Sequence, residues 1–340
     1  MSEENEINHF HRHKIPLKSL EIDPNTEILA SICGRERLNV VDEKNCKVGV
    51  LKLSVSVQQE RGRHQFVIHS SSSATDSSSK ESNVPITKCG MSLTSRVTPN
   101  YETLEEFRSE YSIVGGARRE KIFHLIKLKD EYSLSITDNM RDDDGVKNTL
   151  SIAPSTLKNY LSEGANILLL KYLAITRQVG RVKRNTMLLN GDICRSQLYV
   201  FRSGLSCQKV QTNTLTAVRT IKGHNGVVQK IYLWMNLKGQ FLKQEWPNTG
   251  RPWRLEIDTD ILPGTLSIPL QLCWQEDIQM KSIYMERMDN LKKLYRSYVL
   301  DYPEFKQILT DFILQVTLDK PDNMIGYAME YFTSFEQSNG

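Results

Sequence analysis

The amino-acid sequence predicts an α+β protein: a curved, mainly antiparallel β-sheet domain around one central helix, followed by a carboxy-terminal helical hairpin. Short β-branched and alternating segments, separated by turn residues, dominate residues 27–265. One strongly apolar helical segment interrupts them, and the last seventy residues return to a helical period. Strands and helices do not alternate regularly, which argues against a parallel βαβ fold.

Strand-like segments occur on both sides of the central helix. Before it they are Glu27–Cys33, Lys47–Val57, Gln65–Ser70, Ile86–Val97, Lys121–Lys129 and Ser133–Thr137. After it they are Thr186–Asn190, Ile193–Arg202, Lys209–Lys222, Val227–Leu237, Phe241–Trp246 and Trp253–Ile257. Asn190-Gly191-Asp192 and Lys238-Gly239 have the composition of hairpin turns, so antiparallel pairing is expected.

Residues 155–175 are predicted to form the central helix. Apolar residues recur at helical spacing, and the second half is apolar all round, so we expect the helix to be buried. Gly164 and Ala165 are small enough to let a neighbouring sheet approach closely. A one-sided antiparallel sheet needs a cover for its apolar face, so the sheet is predicted to wrap around this helix.

Two polar segments are predicted to lie outside the packed domain. Residues 1–26 are expected to be a flexible leader, and their acidic start does not resemble a signal peptide. His9, His11 and His13 alternate there without a further ligand nearby, so a solvated tail is favoured over a zinc site. Residues 70–83 are serine-rich, so a disordered loop is expected, with phosphorylation an open alternative.

Composition narrows the functional class. A formal net charge of +4 and a pI near 8.6 are too mildly basic to favour a nucleic-acid binder. Residues 301–340 nevertheless carry seven acidic residues and two lysines, a balance of −5 that favours a partner with a basic rim. The six cysteines are scattered, which is typical of reduced thiols in an intracellular protein. The longest apolar run, Ile167–Leu170, is too short to span a bilayer, so a soluble protein is expected.

No motif of catalysis or cofactor binding is complete. Gly115–Arg118 lacks the later glycine and the lysine of a phosphate loop, and Gly223–Gly226 has the composition of a turn. Arg141–Gly145 resembles a calcium loop only in part, because Met140 and Ser151 stand where such a loop needs acids. We therefore expect no enzyme, no cofactor and no metal site.

A basic stretch follows the central helix. Its cations are Lys171, Arg177, Arg181, Lys183 and Arg184, and residues 171–184 contain no acid. Such a stretch is typical either of a contact with actin, tubulin or acidic lipid, or of a solvated loop.

The last seventy residues carry the strongest signal. A helix over residues 274–300 is predicted to lead into two short amphipathic helices, with Pro321 in the first turn of the second. Two such stripes must pack on the rest of the chain, on a second copy or on a partner's helix. The candidate contact residues share the apolar stripes. They are Phe305, Ile308, Leu309, Phe312, Ile313, Val316, Ile325, Ala328 and Phe332.

This hairpin resembles the RII-alpha dimerisation/docking fold of the type II regulatory subunit of cyclic-AMP-dependent protein kinase. The likeness lies in Pro303, the Leu309-x-x-Phe312-Ile313-x-x-Val316 core, the Lys320-Pro321-Asp322 break and the Ala328-x-Glu330-Tyr331-Phe332 close. The resemblance implies a four-helix bundle of two hairpins, whose groove accepts an amphipathic helix. Residues 270–336 are accordingly predicted to be a helical docking region.

A wider resemblance covers residues 27–336. Leu161–Leu170, Trp274-Gln275-Glu276-Asp277 with Tyr284-Met285-Glu286-Arg287, and the hairpin resemble the family of ciliogenesis-associated proteins that interact with a tetratricopeptide-repeat protein. The resemblance implies a non-enzymatic protein that acts in ciliogenesis through actin polymerisation. It implies a place in the cytoplasm, cytoskeleton or cilium, and also the nucleus and the cell-membrane periphery.

The resulting hypothesis is a cilium- and cytoskeleton-associated adaptor, with a tetratricopeptide-repeat protein, an amphipathic helix, actin, axonemal proteins or a second copy as partners. Three alternatives stay open. The stripes of the hairpin can seal it against the sheet domain, the chain can be a stable radial-spoke scaffold subunit, or the curved sheet can carry an apolar ligand.

Overall fold

The computed structural model describes residues 18–60, 62–75, 88–114, 117–139, 146–207, 210–223, 226–247, 254–257, 287–296, 303–321 and 323–337. The chain divides into two compact units, Met1–Gln271 and Leu272–Gly340.

Fourteen strands and two helices make up the described part of the first unit. In chain order they are α1 (Thr26–Ser31), β1 (Gly34–Val41), β2 (Lys47–Glu60), β3 (Arg63–Thr75), β4 (Lys88–Val97), β5 (Thr103–Val114), β6 (Ala117–Lys127), β7 (Tyr132–Asp138), β8 (Val146–Ile152), α2 (Glu163–Ile175), β9 (Gly180–Met187), β10 (Ile193–Cys207), β11 (Val210–Lys222), β12 (Val228–Asn236), β13 (Phe241–Glu245) and β14 (Arg254–Ile257).

The second unit contains α3 (Pro303–Asp319) and α4 (Met324–Gln337), and residues 287–296 are also helical.

The strands form one open antiparallel sheet in the order β8-β7-β6-β5-β4-β3-β2-β1-β14-β13-β12-β11-β10-β9. Strands β1–β8 form one meander and β9–β14 a second, each with sequential neighbours paired. The two meanders join in the middle, where Leu38–Val41 of β1 pair with β14. Because α2 connects β8 to β9, the helix links the two outer edges of the sheet. The predicted fold class, a curved antiparallel sheet around a central helix followed by carboxy-terminal helices, is confirmed.

The core lies where α2 meets the concave face of the sheet. Leu168, Leu169, Leu170 and Leu173 of α2 are all at most 1% exposed, and they pack among apolar residues of both meanders. Gly164 permits the close approach predicted for it, because a Cβ there would lie 2.2 Å from Cβ of Ser95 on β4. A second, smaller cluster joins β6 and β7 to Leu157 and Met187.

The edge formed by β9 is partly covered. Leu20 N donates to Arg181 O and Arg181 N to Lys18 O, each at 3.0 Å. Farther along, Leu161 N donates to Asn185 O at 2.8 Å and Asn185 N to Asn159 O at 2.9 Å. Two short segments thus occupy backbone groups that an exposed edge strand would offer to another chain.

Three predicted elements differ from the structure. In two of them, a capping side chain determines where the helix begins. The predicted strand Glu27–Cys33 is largely helix α1, since the Asn25 side chain caps the amides of Glu27 and Ile28. The central helix begins at Glu163 rather than at residue 155, because Ser162 is its N-cap and accepts from Ala165 N. Pro321 lies outside α4, which begins at Met324.

The predicted serine-rich loop is in part a strand. Ser70–Thr75 complete β3; Ser70–Ala74 pair with both β2 and β4 and Thr75 with β4 alone, while residues 76–83 lie outside the described residues. Two glycines make room for this serine backbone. A Cβ at Gly49 would lie 2.0 Å from Ser73 O, and one at Gly90 would lie 2.3 Å from Ser72 O. Backbone pairing on both sides therefore orders a segment whose side chains give no strand signal.

Strand predictions also missed β1, β5 and β8, and placed β9 too late at Thr186–Asn190, where residues 188–192 form a turn. Strand β5 contains Glu105 and Glu106, which are at most 2% exposed. Charged residues suggest an exposed segment on sequence grounds, so buried carboxylates concealed this central strand.

Candidate interaction surfaces

An aromatic seam holds the two helices of the hairpin together. The ring of Phe312 on α3 lies 5.0 Å from both Tyr331 and Phe332 of α4, and 6.3 Å from Tyr327, measured between centroids. Tyr327 Oη also donates to Asp319 Oδ2 at 2.5 Å. This hydrogen bond raises the pKa of Tyr327 and joins the end of α3 to the start of α4.

A second set of apolar side chains on the hairpin faces outward. Leu309 and Ile313 lie one turn apart on α3 and are 36% and 62% exposed. Ile325, Met329 and Phe332 follow the same spacing on α4, with 76%, 67% and 40% exposure. We call these five residues the outer stripe.

The structure thus divides the predicted contact residues into two groups that overlap at Phe332. Ile308, Phe312, Val316 and Ala328 are half-buried, whereas Leu309, Ile313, Ile325 and Phe332 belong to the outer stripe. Phe332 also packs on Phe312 in the aromatic seam. The side chain of Phe305 lies outside the described residues. Sequence reasoning missed the exposed pair Leu314 and Leu318, whose four-residue spacing places them farther round α3. The docking-fold resemblance remains a prediction.

The predicted basic stretch does not form one surface. Lys171 is only 2% exposed; its Nζ pairs with the Glu36 carboxylate and donates to Gly239 O at 2.9 Å. Glu36 also accepts from Phe241 N at 3.0 Å, so this pair bridges β1 to β13 beyond the short strand β14. Lys171 lies on a buried helix and stabilises the core. Neither interpretation of the basic stretch, a partner contact or a solvated loop, holds for Lys171.

The other four cations of that stretch are exposed or half-buried. Arg177 and Lys183 are exposed, and Arg181 and Arg184 are half-buried. Alternation along β9 places Arg181 and Lys183 on the face opposite the core residue Val182, and Arg184 on the core side. Whether these cations contact a partner remains a prediction.

A buried polar network anchors the first turn of α2. Glu106 on β5 accepts from Gly164 N at 3.0 Å, and Arg108 Nε lies 3.2 Å from Glu106 Oε1. Arg219 on β11 forms a two-pronged pair with Glu163, at 2.6 and 2.9 Å. A carboxylate at a helix N-terminus is stabilised by the free amides and by the helix dipole.

This network also joins distant parts of the sheet. Arg219 Nε donates to Ser196 on β10 and its Nη2 to Thr186 on β9, both at 3.0 Å. Arg108 Nη2 of β5 donates to Met187 O of β9 at 2.8 Å. Strands from the two meanders are thereby fixed around one end of α2, a constellation that sequence spacing did not reveal.

Electrostatic pairing sets the charge of Glu163. Burial alone would raise the pKa of this carboxyl, but the Arg219 guanidinium and the hydrogen bonds it donates outweigh burial and lower the pKa. Both carboxylates of the network, the buried Glu106 and the partly exposed Glu163, thus face an arginine. Paired, hydrogen-bonded charges of this kind are typical of a structural anchor.

Two thiols of the described residues are weakly reactive. Burial raises the pKa of the Cys33 and Cys194 thiols, which makes them poor nucleophiles. Across the described ranges, no group of three histidine, cysteine or acidic side chains is placed to hold a metal ion. No helix among the described residues is long and apolar enough to cross a bilayer.

Fold and surfaces together define a class: an open, curved β-sheet scaffold that packs around a structural helix, with an apolar helical hairpin as a second unit. A family model described as the N-terminal domain of the ciliogenesis-associated TTC17-interacting protein matches residues 20–228. The chain therefore belongs to the ciliogenesis-associated TTC17-interacting protein family. The matched region runs from the segment that covers the β9 edge to the start of β12.

Individual relatives carry the same name. The chain is 24% identical to the Homo sapiens protein over 263 residues, which is 73% of this chain and 66% of the human one, just under two thirds. It is 26% identical to the Xenopus laevis protein, covering 80% and 72% of the two chains. It is 25% identical to the Danio rerio protein, covering 88% and 86%.

Among solved structures, a β-barrel-like protein of the domain of unknown function DUF1849 from Brucella abortus aligns with a TM-score of 0.45 and 9% identity. The alignment covers 66% of this chain and 95% of that one.

Proposed function

We propose that this chain is a non-enzymatic adaptor in the formation of cilia, and that it acts by binding other proteins. Its family membership supports a cilium-related role, and the relatives' names describe interaction with TTC17. The proposal extends to action on actin polymerisation, and to a place in the cytoplasm, the cytoskeleton or cilium, the nucleus and the cell-membrane periphery.

The observation that carries the adaptor proposal is the outer stripe. The seam around Phe312 already joins α3 to α4, so Ile313, Ile325 and Met329 are not needed to hold the hairpin together. Apolar side chains at helical spacing and more than 60% exposed match the anchors by which amphipathic helices meet a helical groove or each other. A tetratricopeptide-repeat protein stacks helix pairs into a concave surface of that kind.

An Ile325→Asp substitution tests this role. Ile325 lies in the first turn of α4, where an acid is compatible with the helix dipole, so the hairpin should stay folded. We expect retention of the variant by purified TTC17 to fall at least tenfold, the effect of losing one buried anchor. Ile308, which is half-buried, is a poorer choice because its loss would also disturb the seam.

Leu314→Asp is the matched control. It introduces the same charge at a side chain that is 59% exposed but lies away from the outer stripe. Equal retention of Ile325→Asp and wild type, with unchanged helicity by circular dichroism, would exclude the outer stripe as the TTC17 contact. Global unfolding of Ile325→Asp would instead support the alternative that the stripe is a structural seal.

The carrier alternative is disfavoured by the packing of α2. Its leucines fill the concave side of the sheet in the described part of the first unit, where an apolar ligand would have to lie. A stable axonemal scaffold stays compatible with the adaptor proposal. Salt extraction of axonemes separates the two, because a scaffold subunit is retained and a diffusible adaptor is released.

A further inference from the structure

Four cations gather on the outer face of the second meander. Register places Lys183, Gln197, Thr220 and Lys230 in one row across β9–β12. The next row holds Asn185, Arg195, Lys222 and Val228. Neighbouring strands lie about 4.8 Å apart and rows about 7 Å apart, so all four charges fall within about 15 Å. We call Lys183, Arg195, Lys222 and Lys230 the basic patch.

The patch faces away from the core. Val182 and Leu198, which alternate with patch residues on β9 and β10, lie in the core cluster, so the cations point to the other face. Lys183, Arg195 and Lys222 are exposed and Lys230 is half-buried. Sequence spacing alone did not show this patch, because three of its four members come from strands other than β9.

None of the four cations belongs to an ion pair found among the described residues, and the nearest acid on the same face, Glu245 of β13, is paired with Lys243. The acid nearest in sequence to the patch, Asp192, lies in the β9–β10 turn and accepts from Asn190 Nδ2 at 2.6 Å. Arg195 and Lys222 stand directly opposite each other, an arrangement that is destabilising for like charges in an antiparallel pair. A cost of this kind in the free protein points to an anionic partner.

An exposed apolar residue borders the same patch. Val228 ends the row that contains Arg195 and Lys222 and is 37% exposed. The sheet curves around α2, so the patch lies on its convex face. A lipid surface is broad enough to meet a convex face, and cations beside an exposed apolar side chain suit its headgroups and its interface.

We propose that the outer face of β9–β12 binds the surface of anionic phospholipid bilayers through the basic patch, with Val228 against the interface. Each cation near such a surface contributes modestly, so four of them give a weak, reversible and salt-sensitive attachment. This surface is separate from the outer stripe of the hairpin and does not depend on the proposed adaptor role.

Co-sedimentation of the full chain with vesicles tests the proposal. Vesicles of phosphatidylcholine with phosphatidylserine are compared with phosphatidylcholine alone, at low and physiological salt. The wild-type chain should sediment only with the anionic vesicles. The variant Arg195→Gln/Lys222→Gln should bind about 30-fold more weakly, the ratio given by about 1 kcal/mol for each lost charge. Salt should weaken the wild type more than the variant.

Lys44→Gln/Lys129→Gln is the matched control, because it removes two exposed lysines from turns elsewhere on the first unit. It should bind like the wild type. Removal of two opposed cations should leave the melting temperature unchanged or slightly raised, which shows that the patch variant is folded. Equal binding by the patch variant and the control, absence of binding to anionic vesicles, or capture of the wild type by poly-glutamate but not by vesicles overturns the proposal.

Discussion

Glu163 and Arg219 form the ion pair on which the first turn of α2 depends. Arg219 is 2% exposed, so removal of the Glu163 charge leaves a guanidinium without its counterion in the interior. We expect Glu163→Gln to lower the free energy of unfolding at pH 7 by about 3 kcal/mol, the cost typical of breaking a buried pair. Urea unfolding at pH 7 measures this difference.

The same pair predicts a pH dependence whose sign is fixed. The folded-state pKa of Glu163 lies below its ordinary value of 4.5, so folding favours the ionised carboxyl. The resulting stability is fully present above pH 4.5 and is lost as pH falls through the lowered folded-state pKa. The difference in melting temperature between wild type and Glu163→Gln should therefore shrink below pH 4.5. For the exposed control Glu43→Gln, the difference in melting temperature from wild type should stay small at every pH. A difference between wild type and Glu163→Gln that grows as pH falls would contradict a lowered pKa for Glu163.

Contacts between individual residues far apart in the chain could not be predicted from the sequence. Periodicity identified α2 and the apolar stripes, because burial against one neighbour leaves a repeating pattern. Periodicity says nothing of partners far away in the chain. The Glu163–Arg219 and Lys171–Glu36 pairs join residues 56 and 135 positions apart. The sequence therefore placed Lys171 in a surface stretch, although Lys171 is buried.

At the level of elements, the contact between α2 and β4 determines whether replacing Gly164 with alanine stabilises or destabilises the protein. Alanine normally stabilises a helix interior by up to about 1 kcal/mol relative to glycine. A Cβ at Gly164 would lie 2.2 Å from Ser95 Cβ and 2.5 Å from its Oγ, so Gly164→Ala must push the helix off the sheet. We expect Gly164→Ala to destabilise the chain by about 2 kcal/mol, within the range of overpacked cores.

A compensating change tests whether that contact is the cause. Ser95→Gly removes both atoms that the new methyl group would meet, so the double variant Gly164→Ala/Ser95→Gly should be more stable than the sum of the single changes predicts. A double-mutant cycle by urea unfolding measures the coupling. If the free-energy changes of the two single variants simply add in the double variant, the contact with Ser95 is not the cause of the destabilisation by Gly164→Ala.

The same scale explains which elements the sequence could predict. Strands with one apolar face, such as β2 and β12, were predicted nearly in full because alternation is a local signal. Strand β5 and the serine-rich end of β3 were not, because their place is fixed by backbone pairing on both sides. In the hairpin, periodicity gave the apolar residues, but only the structure separates the Phe312 seam from the outer stripe.

At the scale of the whole molecule, an open sheet has two edges that must not pair with other chains. The β9 edge is occupied by residues 18–20 and 159–161, whereas β8 is the other terminal strand of the sheet. Residues 18–20 also pack tightly, since a Cβ at Gly180 would lie 2.6 Å from both Leu20 Cγ and Lys18 O. Residues 18–20 therefore keep β9 unavailable to other chains around Arg181.

Deletion of residues 1–21 should therefore promote self-association, because it frees the backbone groups of Arg181 on the β9 edge. Deletion of residues 1–16 keeps the covering segment and is the matched control. Both proteins share the β8 edge, so a difference between them reports on β9 alone. Light scattering and sedimentation velocity over a concentration series should show larger species only for the longer deletion. Equal monomer fractions for the two would mean that residues 18–20 do not protect this edge.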